Sequence, residues 1–243
     1  MGRPTIVFLP GLLCDQDIWR DQIEGLGADF DIFCPGLMNH AFIEEMAQDV
    51  LARAPPTFSL CGHSMGGRVA LEIVARAPER VERLALMDTG FHPARPGESI
   101  GRDSLLRIAF AEGMTSLAAQ WLPPMLAEHR VGDEQLMQRL TAMVERANPD
   151  VFCRQVNALL HRPDAYKILS MIDCPTAVIV GGLDTWSPLA QHEEMAARIP
   201  GASLTVIEGS GHMSPVEQPG AVTAALADWM TIPARLGVLA AAY

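Results

Sequence analysis

Three residues of this 243-residue chain have the types and the settings that nucleophilic catalysis needs. Ser64 lies in Gly62-His63-Ser64-Met65-Gly66-Gly67, between the apolar run FSLCG and a segment of helical periodicity. A serine hydroxyl is a poor nucleophile at neutral pH until a base takes its proton, and that base must itself be oriented by an acid or amide. The chain offers Asp184 in VIVGGLDTWSP and His212 in VIEGSGHMSPVEQP, each just beyond an apolar run. Taken alone, G-x-S-x-G is a weak signal, and a glycine-rich loop that happens to contain a serine is the plain alternative. The setting strengthens it. A tight strand-to-helix turn presents a serine Oγ at the carboxyl edge of a sheet, and the chain order serine, aspartate, histidine is the one that accompanies such a turn. Gly62 and Gly66 have a steric role there, because the turn brings backbone segments too close for side chains.

The elements that must position these residues follow from the apolar pattern. Six short runs recur: TIVFLP (5–10), DIFCP (31–35), FSLCG (58–62), RLALMD (83–88), TAVIVGG (176–182) and SLTVIEG (203–209). They are continuously apolar, as strands buried on both faces are, rather than alternating. Helical spacing marks AFIEEMAQDVLARA (41–54), GGRVALEIVARAPERV (66–81) and LAQHEEMAARIPGA (189–202) between them. The alternation predicts an α/β fold, a doubly wound, mainly parallel sheet of about six strands with right-handed crossovers. Asp184 and His212 then fall at strand carboxyl ends, where ligand sites form in open α/β sheets.

One interval breaks the rhythm: roughly 85 residues separate the fourth and fifth strands, well beyond a usual crossover. Four segments with i, i+3, i+4 apolar recurrence fill it, RDSLLRIAFAEGM, SLAAQWLPPMLAEH, DEQLMQRLTAMVERAN and DVFCRQVNALLHR, punctuated by Pro123, Pro124, Pro149 and Pro163. They predict a small helical cap over residues 93–170, entered through PARPGES (93–99), with 1–92 and 171–243 forming the core. The alanine-rich tail GVLAAAY is the only low-complexity stretch.

Bulk properties exclude several functions. The formal net charge is −11 and no lysine–arginine cluster runs along any segment, so nucleic acid is not an expected partner. Cys14, Cys34, Cys61, Cys153 and Cys174 are scattered and odd in number, which fits reduced structural thiols rather than a disulfide framework. The amino terminus, MGRPTIVFLPGLLCD, is too quickly interrupted for a signal peptide or membrane span, so a soluble cytoplasmic protein is expected. No cluster of histidines and carboxylates has metal-ligand spacing, and neither metal nor cofactor is expected.

With these motifs in place, the chain resembles the α/β-hydrolase fold superfamily, in the subgroup with a helical cap, from IVFLPG to ALADWM. The resemblance implies that Ser64 is the nucleophile, His212 the general base and later acid, and Asp184 the residue that orients His212. Asp88, at the end of the fourth strand, is the competing acid, since some relatives place the acid there. His40, His63, His92, His129, His161 and His192 compete with His212, but His212 alone sits in a Gly-x-Gly-His loop after the last strand. The oxyanion donors implied are the backbone amides of Met65 and of Leu12, with Leu13 as a fallback. Pro10 stands where relatives usually carry histidine. The chain begins at the strand that is usually third in this fold, so the amino-terminal hairpin strands are expected to be missing. The stretch CPGLMNHAF also departs from the family's pattern after the second strand.

A serine at position 64 argues against the aspartate-nucleophile chemistry of dehalogenases and epoxide hydrolases, and favours ester-type or acyl-type substrates. The expected pocket residues, Leu12, Leu13, Met38, Met65, Trp121, Trp186 and Met213, are mostly apolar with no arginine among them, although each Met or Trp is equally well explained by core packing. The resemblance implies a serine esterase acting on a small hydrophobic ester or lactone through an acyl-Ser64 intermediate. A C–C bond hydrolase or thioesterase would use the same three residues, and a ligand receptor on a hydrolase scaffold is the alternative of a different class.

Overall fold

The computed structural model describes residues 2–235, and the GVLAAAY tail lies outside the described residues. Six strands form one sheet: β1 (Thr5–Leu9), β2 (Asp31–Phe33), β3 (Phe58–His63), β4 (Val81–Met87), β5 (Thr176–Gly181) and β6 (Ser203–Ile207). Their order is β2-β1-β3-β4-β5-β6, and every neighbouring pair is parallel. The inner strands β1, β3, β4 and β5 are buried almost throughout, which is why their sequences are continuously apolar, whereas β2 and β6 at the edges are partly open. The ladder of β2 ends at Phe33, ahead of Pro35, whose ring nitrogen has no hydrogen to donate.

The helices are α1 (Arg20–Leu26), α2 (Ile43–Arg53), α3 (Met65–Arg76), α4 (Glu98–Glu112), α5 (Met114–Trp121), α6 (Glu134–Glu145), α7 (Pro149–Leu160), α8 (Tyr166–Leu169), α9 (Leu189–Arg198), α10 (Ser214–Glu217) and α11 (Pro219–Thr231). Against the sheet, α2 packs on α3, α1 packs on α11, and α9 lies along β5 and β6. Chain direction across the sheet reverses between β1 and β3: the chain steps outward from β1 to β2, then returns past it to β3. A crevice opens outside the carboxyl ends of strands at such a point.

Four longer helices, α4 to α7, fill the interval between β4 and β5. Asp133 caps α6 by accepting the Leu136 amide, and Asn148 caps α7 through the Val151 amide ahead of Pro149. The first of these helices starts at Glu98, inside the stretch that the sequence marks as a hinge. The insertion is tied to the loops after β1 and β2. Arg139 pairs with Asp17 and Asp21, Arg146 with Asp15 and Asp17, Arg154 holds the Met38 carbonyl, and Asn157 holds that of Ala41. Among the described residues no helix is long and apolar enough to cross a membrane.

Candidate active site

Ser64 alone makes the turn from β3, which ends at His63, to α3, which begins at Met65. Its φ of 53° and ψ of −116° lie where residues with a side chain are rarely found. The strain is held by tight surroundings. The Ser64 amide donates to the Met87 carbonyl at 2.9 Å, and the Thr89 hydroxyl donates to the Ser64 carbonyl at 2.7 Å. A Cβ on Gly66 would stand 2.6 Å from the Leu9 carbonyl carbon, and one on Gly62 would stand 2.7 Å from the Gly67 Cα. Both obstacles are backbone, so only glycine lets β1, β3 and α3 approach this closely.

His212 and Asp184 arrive from the turns after β6 and β5. His212 Nε2 lies 2.9 Å from Ser64 Oγ, and His212 Nδ1 lies 2.7 Å from Asp184 Oδ2. The other carboxylate oxygen, Asp184 Oδ1, accepts the amides of Trp186 at 2.7 Å and Ser187 at 2.9 Å, which fixes the plane of the carboxylate. Burial alone would raise the Asp184 acid, but the charge and hydrogen bond of His212 and those two amides hold it below the usual carboxylate range. Burial likewise works against the His212 imidazolium, yet the Asp184 charge and hydrogen bond outweigh it and raise the histidine above its ordinary value. With Nδ1–H given to Asp184, Nε2 is the lone-pair nitrogen facing the serine.

The competing residues are placed elsewhere. Asp88, with φ 47° at the end of β4, is fully buried; its Oδ1 accepts the Gly181 amide at 2.8 Å and its Oδ2 meets the Ser214 hydroxyl. It makes no hydrogen bond to His212, and burial, followed by repulsion from Asp184, pushes its acid well above the ordinary range. His63 packs beneath the site, 2.8 Å from the His212 carbonyl through Nε2, and burial drives it down to about 3. His192 Nε2 accepts the Thr89 amide at 3.0 Å and is pushed down by burial to about 4. Among the histidines only His212 is hydrogen-bonded to Ser64.

A cavity of about 570 Å³ opens onto this group, lined by Leu12, Ser64, Met65 and His212 and walled by Trp121, Phe152, Leu159 and Trp186. Met213 borders a smaller hollow of about 50 Å³ that also touches Ser64 and His212. Leu13 and Met38 border neither: Leu13 is fully buried under its loop, and the Met38 carbonyl serves Arg154. The Leu12 and Met65 amides have no hydrogen-bond acceptor among the described residues. The Leu13 amide, in contrast, donates to Gln155 Oε1 at 2.8 Å and is therefore spent. A larger hollow, about 710 Å³ between α1 and α11, touches none of these residues.

The expectation of a cavity without arginine fails, since Arg68, Arg95, Arg102 and Arg162 all line it. Arg68 had a signal in the sequence: it stands four residues after Ser64, in the first turn of the helix that follows it. Gln155 had none, because its partner is 142 residues away in the chain. Among the described residues no group of three or more His, Cys, Asp or Glu side chains is arranged to hold a metal ion.

Residues 6–226 match the profile of the alpha/beta hydrolase family. The chain belongs to that family. Among its relatives, a pimeloyl-[acyl-carrier protein] methyl ester esterase from Nitrosomonas europaea is 25% identical, over 86% of this chain and 88% of that protein. An esterase from Thermogutta terrifontis, solved with malate bound, superposes with a TM-score of 0.87 at 28% identity, covering 95% of this chain and 91% of that one. The enol-lactonase of Burkholderia xenovorans superposes at 0.86 with 25% identity, covering 95% and 92%. By family this α/β hydrolase is an enzyme of the carboxylic-ester hydrolase type.

Proposed function

We propose that the protein hydrolyses a small, mainly apolar carboxylic ester or lactone through an acyl-Ser64 intermediate, with residues 93–170 acting as the cap over the site. The observation that carries this reading is the continuous relay from Ser64 Oγ to His212 Nε2 at 2.9 Å and from His212 Nδ1 to Asp184 Oδ2 at 2.7 Å. In the first half-reaction Ser64 Oγ attacks the carbonyl carbon while its proton passes to His212 Nε2, and the Asp184 carboxylate stabilises the imidazolium that forms. Negative charge develops on the former carbonyl oxygen. The unpartnered amides of Leu12 and Met65, one at the crevice after β1 and the other at the first residue of α3, are the donors for it. His212 then returns the proton to the departing alkoxide. In the second half-reaction His212 takes a proton from water, which attacks the acyl carbon, and then gives that proton to Ser64 Oγ as the acyl–oxygen bond breaks and the acid leaves.

An ester or lactone suits the apolar wall of Trp121, Phe152 and Leu159, and relatives that act on a methyl ester and an enol-lactone support both forms. The experiment is a pre-steady-state assay with p-nitrophenyl esters alongside a pH-stat assay with simple lactones. A burst of nitrophenol equal to the enzyme concentration, absent in Ser64→Ala, is the expected result. Turnover that persists in Ser64→Ala overturns the acyl-Ser64 route.

A further inference from the structure

The cavity beside Ser64 carries positive charge that the chain itself does not neutralise. Arg68, Arg102 and Arg162 line it around one lining carboxylate, that of Glu98, and the exposed Arg95 borders the same cavity. Glu98 is fully engaged: Oε1 accepts from Arg102 Nη2 and Arg162 Nη1, both at 2.8 Å, and Oε2 accepts from Arg162 Nη2 at 2.8 Å and from the Arg95 amide at 3.1 Å. Asp164, the other acid nearby, is exposed, lies outside the cavity lining and accepts the Tyr166 amide. Arg68 has one hydrogen-bond partner among the described residues, the His92 carbonyl, which Nη1 reaches at 2.8 Å. Its Nε and Nη2 are left with donors to offer. The chain as a whole has a net charge of −11, so an anion is repelled at long range and only a local device can hold one.

The placement of Arg68 is specific. It sits in the first turn of α3, four residues after Ser64, and both residues line the same cavity. Gly90 leaves room for the guanidinium, since a Cβ there would come within 2.8 Å of Arg68 Nη2. Burial, and then the charge of Arg162, push the Arg68 guanidinium down to about 9, which marks a cation short of negative partners. Arg102 and Arg162 turn their paired donors on Glu98 and Arg95 is exposed to solvent, so the free fork that is shielded beside Ser64 is that of Arg68, and one fork matches one singly charged carboxylate.

We propose that Arg68 anchors a carboxylate subsite, so that the substrate is an ester or lactone bearing a free carboxylate a few bonds from the scissile carbonyl. This rests on the ester-hydrolase reading above and narrows it. The test compares monomethyl glutarate with methyl valerate, of similar size but neutral, as the ratio of the two kcat/KM values within each protein. The wild type should favour the half-ester by at least ~10-fold, the worth of one charge-assisted hydrogen bond. Arg68→Met should bring the ratio to one or below, and Arg68→Lys should keep it above one. Because each ratio is taken within one protein, a general loss of folding or of the Ser64 relay cancels. Calorimetric binding of glutarate reads the same subsite without turnover and should vanish in Arg68→Met. A wild-type ratio near one, a ratio that survives Arg68→Met, no glutarate binding to the wild type, or a stronger preference for the phosphonate analogue of the half-ester overturns the assignment. Loss of hydrolysis with glutarate binding intact would instead count against the ester-hydrolase reading and leave the carboxylate subsite standing.

Discussion

Gln155 Oε1 accepts the Leu13 amide at 2.8 Å, and this bond joins α7 of the insertion to the loop that carries the Leu12 amide. The same side chain, fully buried, donates from Nε2 to the Leu37 carbonyl at 3.1 Å, so its amide has one orientation that satisfies both partners. The bond takes the Leu13 amide out of competition and turns the residue before it toward the cavity. The insertion is therefore a structural support of the loop that carries the Leu12 amide.

Replacing this side chain tests the support. Gln155→Leu leaves one buried amide and one buried carbonyl without partners, at a cost of about 1–3 kcal/mol each. Urea unfolding should show that loss. In protein that remains folded, kcat for a neutral ester should fall roughly tenfold to a hundredfold, while KM changes little, because a displaced Leu12 amide is felt in the transition state. Wild-type kcat in a folded Gln155→Leu protein would separate the oxyanion loop from the insertion.

The two aspartates should respond oppositely to the same substitution. Asp184→Asn should lower kcat/KM by about three to four orders of magnitude, because an amide at that position no longer stabilises the imidazolium or selects the right tautomer. Asp88→Asn should change it less than about tenfold. Burial pushes the Asp88 acid well above its ordinary range, it makes no hydrogen bond to His212, and a neutral asparagine of the same shape still offers an oxygen to the Gly181 amide and a polar group beside the Ser214 hydroxyl. Steady-state kinetics of both variants decides the matter, and a severe loss confined to Asp88→Asn would move the acid to β4.

The pH dependence follows from His212. Only its neutral form can take the Ser64 proton, and Asp184 raises its pKa, so activity should be lost as pH falls through a value above the ordinary ~6.5 of histidine. His63 and His192, pushed down to about 3 and about 4, stay neutral over that range and should add no limb of their own. A profile of kcat/KM between pH 5 and 9 on a neutral ester checks this. An acid limb below pH 6 in the wild type would contradict the Asp184 contact that raises His212.

Most of what positions the site was legible in the sequence, for a reason particular to buried parallel strands. Their runs are apolar on both faces, so FSLCG or TAVIVGG cannot be mistaken for surface segments, and chemistry at their carboxyl ends stands out against them. The helix α11 carried no such mark: PGAVTAALADWM is apolar nearly all round and shows no stripe. Side-chain placement inside the cavity was less legible. Leu13 reads as a pocket residue beside Leu12, but its φ of 55° turns the loop so that the side chain points into the core. The arginines were missed because Arg102 and Arg162 come from separate parts of the insertion and meet Arg68 only through the fold.

The most direct measurement for the central claim is the intact mass of the wild type and of Ser64→Ala after exposure to a fluorophosphonate. The relay to His212 and Asp184 predicts one added phosphonyl group on the wild type, none on Ser64→Ala, and loss of ester hydrolysis in step with labelling. An unlabelled wild type that still hydrolyses esters, or equal labelling of Ser64→Ala, would contradict Ser64 as the activated nucleophile.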